Sequence, residues 1–526
     1  MIHGLAVQGP DPSTRQAHSP PVEKHALKAT NESRLNVAET FQLPPTPIEQ
    51  FTLANGLRVI LSKDQSLPVV SIAVYYDVGS RNEKGGRTGF AHLFEHMMFQ
   101  GSENVPKAAH FQYIFNAGGT MNGTTSTERT NYFETLPANY LPLALWLESD
   151  RMRSLKVTQE NLDNQRHAVQ EEKRLRYDNQ PYINAFLRVN ELIFKNLANA
   201  HSTIGSMEDL DAATIDDVRE FFRVYYAPNN AVLTIVGDFD EAAARSLIKK
   251  YFESIPRQPD PPPVDVSEPA DVAQTQEIFY DKLAPAPAFV LGWKIPPRRT
   301  PGYYALSLAA DLLFEGDSSR LYQKLVKGDE SVVSIQGGVD ERRGPSAWYI
   351  FALPKPGTEV TAIRNEIFEE ITRLGTYGPT PAEMEKLRNS LCNDAVRGRQ
   401  ATMYRAQRLA EYLLYDGDPH LIDTELAQYL RITADDIKRA VNKFLDGNNR
   451  VVLDIVPTAA GEEAPVADPL AAGEPQPGAP APQIPPAPSQ PESSAKPEPA
   501  TDLENPKSGQ TKDEKSSETE SEALPV

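Results

Sequence analysis

The chain holds a single cysteine, Cys392, among 526 residues. A disulfide within one chain is therefore excluded, as are a cysteine-rich zinc site and a paired-cysteine redox motif. Cys392 falls in an apolar helical pattern over Met384–Val396 and reads as core filler. No run of about 18 apolar residues exists, so no transmembrane helix is expected. Basic charge is short: 53 Lys and Arg stand against 72 Asp and Glu, a net charge of −19. That balance argues against a nucleic-acid-binding surface. No signal peptide is visible as written, because Met1–Gln8 is only mildly apolar and lacks a basic lead-in. The default expectation is a cytoplasmic protein, or a periplasmic one if the true start lies upstream and Gly4–Val7 is the end of a lost signal. Histidine is scarce as well, with nine residues, so a metal site must be assembled from a few His with Asp and Glu.

What is present divides into three regions. Residues 1–45 are polar, rich in Pro and Ser, and read as a flexible arm. From Thr458 to Val526 the chain is Pro, Ala, Glu, Ser and Lys with almost no aromatics, and such a tail cannot bury enough surface to offset its entropy. Between them lies a repeat. At an offset of 219 residues, Thr214 meets Thr433, Asp216-Asp217 meets Asp435-Asp436, and Asn229-Asn230 meets Asn448-Asn449. Each copy reads as a Thr-capped helix, an Asn-Asn turn and an apolar strand. Two similar domains are expected, over 46–255 and 275–457, joined by a Pro- and Asp-rich linker at 256–274. Strand patterns over Leu57–Leu61, Val69–Val78 and Thr130–Thr135 mix with helical patterns over 88–99, Leu141–Ser154 and 158–177. They do so without strict alternation, which makes α+β the expected class.

The chemistry concentrates in Gly89–Phe99. Thr88 is placed to cap this helix and Gly101 to end it. Residues four apart lie about 40° apart around a helix axis, so His92 and His96 share a face with Glu95 beside them. The other residues, Phe90, Leu93, Phe94, Met97, Met98 and Phe99, are apolar on every side, as in a buried helix. Burying two His and an ionised Glu is costly without a partner, and zinc, which takes His nitrogens and prefers four ligands, would offset that cost. A third ligand is sought in Gln165–Arg174. With Val169 marking the inward side, His167 and Glu171 point away, whereas Glu172 shares the side of Val169. The pattern leans towards Glu172; the alternative is a solvated Glu-Lys face.

His92-Leu93-Phe94-Glu95-His96 is the inverted zincin motif, His-x-x-Glu-His. With Glu172, the segment Gly118–Thr130 and Tyr226–Asn230, the region 46–457 resembles the pitrilysin, or M16, family of zinc metallopeptidases. It is most similar to the short bacterial two-domain members and to the beta subunit of the mitochondrial processing peptidase. The resemblance implies two homologous mixed α/β-sandwich domains of the LuxS and processing-peptidase metallohydrolase type, forming half of a clamshell. It implies one Zn2+ per chain held by His92, His96 and Glu172, and Glu95 as the general base. The implied activity is a metalloendopeptidase acting on extended peptides or unfolded segments, with zinc acidifying a water and polarising the scissile carbonyl. The segment Asn122–Ser126 resembles the family's substrate-pairing edge strand. That implies Asn122 and Thr124 as substrate contacts, although a turn role for Asn122 beside Gly123 is equally open.

Three positions depart from the family pattern. The supporting acid seven residues before the third ligand falls on Gln165. The substrate-contacting Arg and Tyr of the second domain fall on Val326 and Val333, whereas the landmark Ser318–Tyr322 is kept and its Arg320 reads as structural. The expected partner is therefore a second chain of the same family supplying Arg and Tyr, or a second copy of this chain. The rival readings are a non-catalytic scaffold subunit and a zinc-dependent peptide binder.

Overall fold

The structure is a computed structural model and describes residues 41–269 and 274–458. The expected flexible arm lies outside the described residues up to residue 40, and the expected disordered tail does so from residue 459.

Two mixed sheets organise the chain. The first contains β1 (Glu49–Thr52), β2 (Arg58–Lys63), β3 (Val69–Tyr76), β4 (Thr120–Thr125), β5 (Thr130–Pro137) and β6 (Ala231–Gly237), in the order β1-β2-β6-β3-β5-β4. The second contains β7 (Thr275–Asp281), β8 (Ala288–Ile295), β9 (Val332–Asp340), β10 (Ser346–Pro354) and β11 (Arg450–Pro457), in the order β7-β11-β8-β10-β9. Apart from β1 the two orders correspond strand for strand. In each sheet the one parallel pair occupies the same place, β2 with β6 and β7 with β11. Central strands such as β6 (AVLTIVG) are buried along their whole length and almost entirely apolar, because both faces are covered.

The repeat seen in the sequence is built into the backbone. Thr214 caps the helix Ile215–Tyr225 and Thr433 caps Ala434–Phe444, each through a capping box with the Asp three residues on. Asn230 Nδ2 then donates to Tyr225 O, and Asn449 Nδ2 donates to Phe444 O, tying each helix end to the strand that follows. Each half also covers the other's sheet. The helix Ile183–Ile193 packs Val189 and Ile193 against β8 and β11, and Thr402–Asp416 packs Ala406, Leu409 and Leu413 against β3 and β6. Arg343, between β9 and β10, donates to Asp77 and Glu128 of the first half. Cys392 is buried in the helix Pro381–Gln400.

Two local expectations are corrected. The motif helix spans Phe90–Met97 with Gly89 as its N-cap, at φ 88°, not Thr88. Thr88 Oγ1 instead donates to Asp209 Oδ2 at 2.6 Å. A carboxylate supplies the cap: Glu83 Oε2 accepts from Gly89 N at 2.8 Å and Oε1 from Ala91 N at 2.7 Å. A buried anion answers the helix dipole better than a hydroxyl does. The second correction concerns the long charged helix, which runs Gln159–Lys173 and then continues as one π-helical turn, Arg174–Asp178.

Candidate metal centre

The motif helix is anchored by its apolar side. Phe94 stacks on Tyr226 with ring centroids 4.9 Å apart, and Leu93 and Met97 are fully buried. One face remains for polar groups, and there the His92 and His96 rings stand 4.8 Å apart, nearly perpendicular. The helix Gln159–Lys173 packs across it with Val169 buried, while His167 and Glu171 point to solvent. Glu172 Oε2 lies 3.6 Å from His92 Nε2 and 3.1 Å from His96 Nε2.

Two ligands about 2.0–2.1 Å from a tetrahedral ion stand about 3.3–3.4 Å apart, and the two measured separations bracket that value. The donors are two imidazoles and one carboxylate, the set of a catalytic zinc site that leaves a fourth position open. The residues present therefore fit a zinc ion. Their proton chemistry agrees. Burial and the neighbouring His96 push His92 down to about 3, which keeps it in the neutral form a ligand needs. Burial alone would raise Glu172, but the His96 hydrogen bond and the charges of His96 and Arg176 hold it at about 2. Burial would lower His96, yet Glu172 outweighs it and raises the pKa. The proton His96 retains is the one a bound cation would displace.

Glu95 is half-buried, one position before His96. Burial raises its pKa, opposed by a 2.6 Å hydrogen bond that its Oε2 accepts from Thr125 Oγ1. Thr125 belongs to β4, an edge strand of the first sheet, which among the described residues pairs with β5 alone. The pleat puts Gly123 and Thr125 on the Glu95 face. A Cβ on Gly123 would stand 3.2 Å from Glu95 Cγ and 3.1 Å from the Tyr132 ring. Thr124 faces the other way, bonded to Asn131 Oδ1 and Arg129. Asn122, on the same parity, accepts from Gly123 N at 2.9 Å. The structure thus brings His92, His96, Glu172 and Glu95 together, and leaves the side chains of Asn122 and Thr124 outside that group.

Other residues complete the surroundings. Gln165 is buried beside His96. Arg176 Nη1 lies 3.0 Å from Glu172 Oε1, the oxygen turned away from the imidazoles. Of the residues that sequence reasoning missed, Thr125 was open to discovery by its period-two spacing from Gly123, and Arg176 by its place four residues after Glu172. Glu83 carried no local signal, since its partner His201 lies 118 residues away. In the second half Val326 packs against the core, Val333 is exposed, and Arg320 is tied to Glu370 and Glu383. One more ligand-like group occurs among the described residues: His110, Glu134 and Glu148, all buried. Arg151 donates to both oxygens of Glu148, and burial with the adjacent Glu148 charge raises the pKa of Glu134 well above its ordinary value.

Comparison with known proteins follows the same lines. The model described as "Insulinase (Peptidase family M16)" matches residues 58–205, and that described as "Peptidase M16 inactive domain" matches residues 212–391. The chain belongs to peptidase family M16. Among curated M16 relatives, the zinc protease PqqE of Helicobacter pylori is 29% identical over 415 residues, 78% of this chain and 93% of its own. The mitochondrial-processing peptidase subunit beta of Lentinula edodes is 23% identical over 412 residues, 75% of this chain and 86% of its own. A crystal structure of a protease from Helicobacter pylori superposes with a TM-score of 0.76 at 26% identity, covering 79% of this chain and 100% of the other.

Proposed function

We propose that this M16 chain is a zinc-dependent endopeptidase acting on extended peptides or unfolded segments. The observation that carries the reading is the convergence of His92, His96 and Glu172 on one point, with the Glu95 carboxyl one helical position away. A zinc ion held by these three residues would supply an acidified water and a Lewis acid for the carbonyl. Glu95 takes the water's proton and later delivers it to the leaving amine. Its burial, which raises its pKa, suits a group that must accept a proton and then give it up. The exposed edge of β4 offers main-chain groups around Asn122 and Thr124 to an extended peptide, which reads backbone and leaves side-chain preference broad.

Cleavage of a pool of unstructured peptides by the zinc-loaded protein, beside its Glu95→Gln variant, tests this. Cleavage by the wild type and not by the variant is the expected result; equal cleavage by both, or none by either, overturns it. A second reading is favoured by Val326 and Val333, which supply no polar group towards substrate. On that reading a homologous M16 chain contributes Arg and Tyr, and the pure homomer binds peptides with little turnover.

A further inference from the structure

We propose that Arg176 is the cation that meets the scissile carbonyl oxygen of a peptide at this centre. The inference rests on the peptidase reading above and adds a residue to it.

Arg176 follows Glu172 by four residues and shares its face, on the single π-helical turn that ends the ligand helix. Such turns recur at functional sites because they re-aim side chains that a regular helix would carry past. This one is pinned at both ends. Lys173 Nζ is 2.6 Å from Asp178 Oδ1, and the partly buried Tyr177 packs against the main core and bonds Thr203. The Arg176 side chain is 38% exposed, and among the described residues Glu172 Oε1 is its partner. Its remaining N–H groups are available to a ligand.

The pairing contributes little in either of its ordinary capacities. An ion pair four residues apart on a helix, with one partner near the surface, adds little to stability. A guanidinium beside a metal-ligating carboxylate competes for the charge the metal needs, so it does not strengthen the ligand. It does place a fixed cation beside a point where negative charge develops. When water adds to the peptide carbon, the carbonyl π pair moves onto oxygen, one water proton passes to Glu95, and collapse breaks the C–N bond as that proton reaches the amine. A preorganised donor aimed at such an oxygen contributes on the order of 10²–10³ in rate. Position agrees. Arg176 Nη1 stands 3.0 Å from the Glu172 carboxylate, while Glu95 is held by Thr125 of β4, so the cation and the base reach the centre from different elements.

The test uses a phosphinic peptide, whose tetrahedral anionic group stands in for the reacting carbon and its oxygens. Its affinity for the zinc-loaded protein is measured by calorimetry for wild type, Arg176→Ala and Arg176→Lys, with zinc affinity measured separately by chelator competition. We expect Arg176→Ala to bind the phosphinate about 100-fold more weakly with no loss of zinc affinity, Arg176→Lys to recover part of it, and methylguanidinium to restore binding to Arg176→Ala. Unchanged phosphinate affinity in Arg176→Ala overturns the proposal. So does a parallel fall in zinc affinity, which would make Arg176 a positioning group for Glu172. A wild type that neither cleaves peptides nor binds the phosphinate overturns the peptidase reading as well, whereas a cleaving wild type with an indifferent Arg176 overturns this inference alone.

Discussion

Thr125 Oγ1 donates a 2.6 Å hydrogen bond to Glu95 Oε2, so an edge strand of the sheet holds the carboxyl of the motif helix. The contact depends on Gly123, where any Cβ would press within 3.2 Å of Glu95 Cγ and 3.1 Å of Tyr132. Gly123→Ala should therefore displace the Glu95 side chain without touching a ligand. A misplacement of about 1 Å costs on the order of 100-fold in turnover. The variant is expected to lose one to two decades in kcat at unchanged zinc stoichiometry, measured by peptide hydrolysis and metal analysis. Zinc loss matching the activity loss would show that the strand supports the ligands rather than Glu95.

Zinc binding should also appear in stability. Only the folded chain brings His92, His96 and Glu172 within 4.8 Å of one another, so free zinc at about 100 times its dissociation constant adds about 2.7 kcal/mol. Chelation should lower the melting temperature by several degrees and zinc should restore it. Glu172→Gln removes the one anionic ligand, and its melting curve should be indifferent to both treatments. Scanning calorimetry with and without chelator decides the matter.

Much of this centre was legible in the sequence. Helical geometry alone put His92, Glu95 and His96 together and favoured Glu172 over His167 and Glu171, because a three-residue step from buried Val169 keeps to its side. The repeat gave the paired sheets through Thr214 and Thr433. What stayed hidden was long-range. That Ile183–Ile193 and Thr402–Asp416 each cover the opposite sheet follows from packing that no local pattern records. The cap was misread because Thr88 satisfies the local rule, while a buried carboxylate arriving from Glu83 binds the same amides more strongly. The π-turn that aims Arg176 has no propensity signature either.

In the second half, Asp311 is held up to about 7, first by burial and then by the charges of Glu315 and Asp394, against the pull of Lys386. Its folded pKa lies above its unfolded value near 3.8. Its share of stability is therefore full below about pH 4 and lost as pH rises to about 7. Asp311→Asn removes the titration. The variant should gain on the wild type across that window and hold the advantage above it, by at most about 4 kcal/mol and less where solvent screens the group. Urea unfolding at pH 5 and pH 8 measures it, and an advantage that shrinks with pH would reverse the assignment.

Glu83 and His201 form a buried pair at the N-terminus of the motif helix. His201 Nδ1 lies 2.5 Å from Leu197 O and Nε2 lies 2.9 Å from Glu83 Oε2. With Nδ1 facing a carbonyl oxygen and Nε2 facing the Glu83 carboxyl, both ring nitrogens are placed to donate, which favours the imidazolium. Burial would lower its pKa, but Glu83 raises it above the ordinary value. By linkage the contribution of His201 is complete below about pH 6.5 and fades as pH rises through the raised pKa. His201→Gln should therefore cost most at pH 6 and progressively less towards pH 9, read as unfolding free energy against wild type. Glu83→Gln should be worse at every pH in that range, because it loses about 1 kcal/mol of helix cap and leaves a buried cation unpaired, at about 3–5 kcal/mol. In the double variant the cation is gone, so its cost should fall below the sum of the two single costs. Additive costs would mean that Glu83 serves the helix amides alone and that His201 is a bystander.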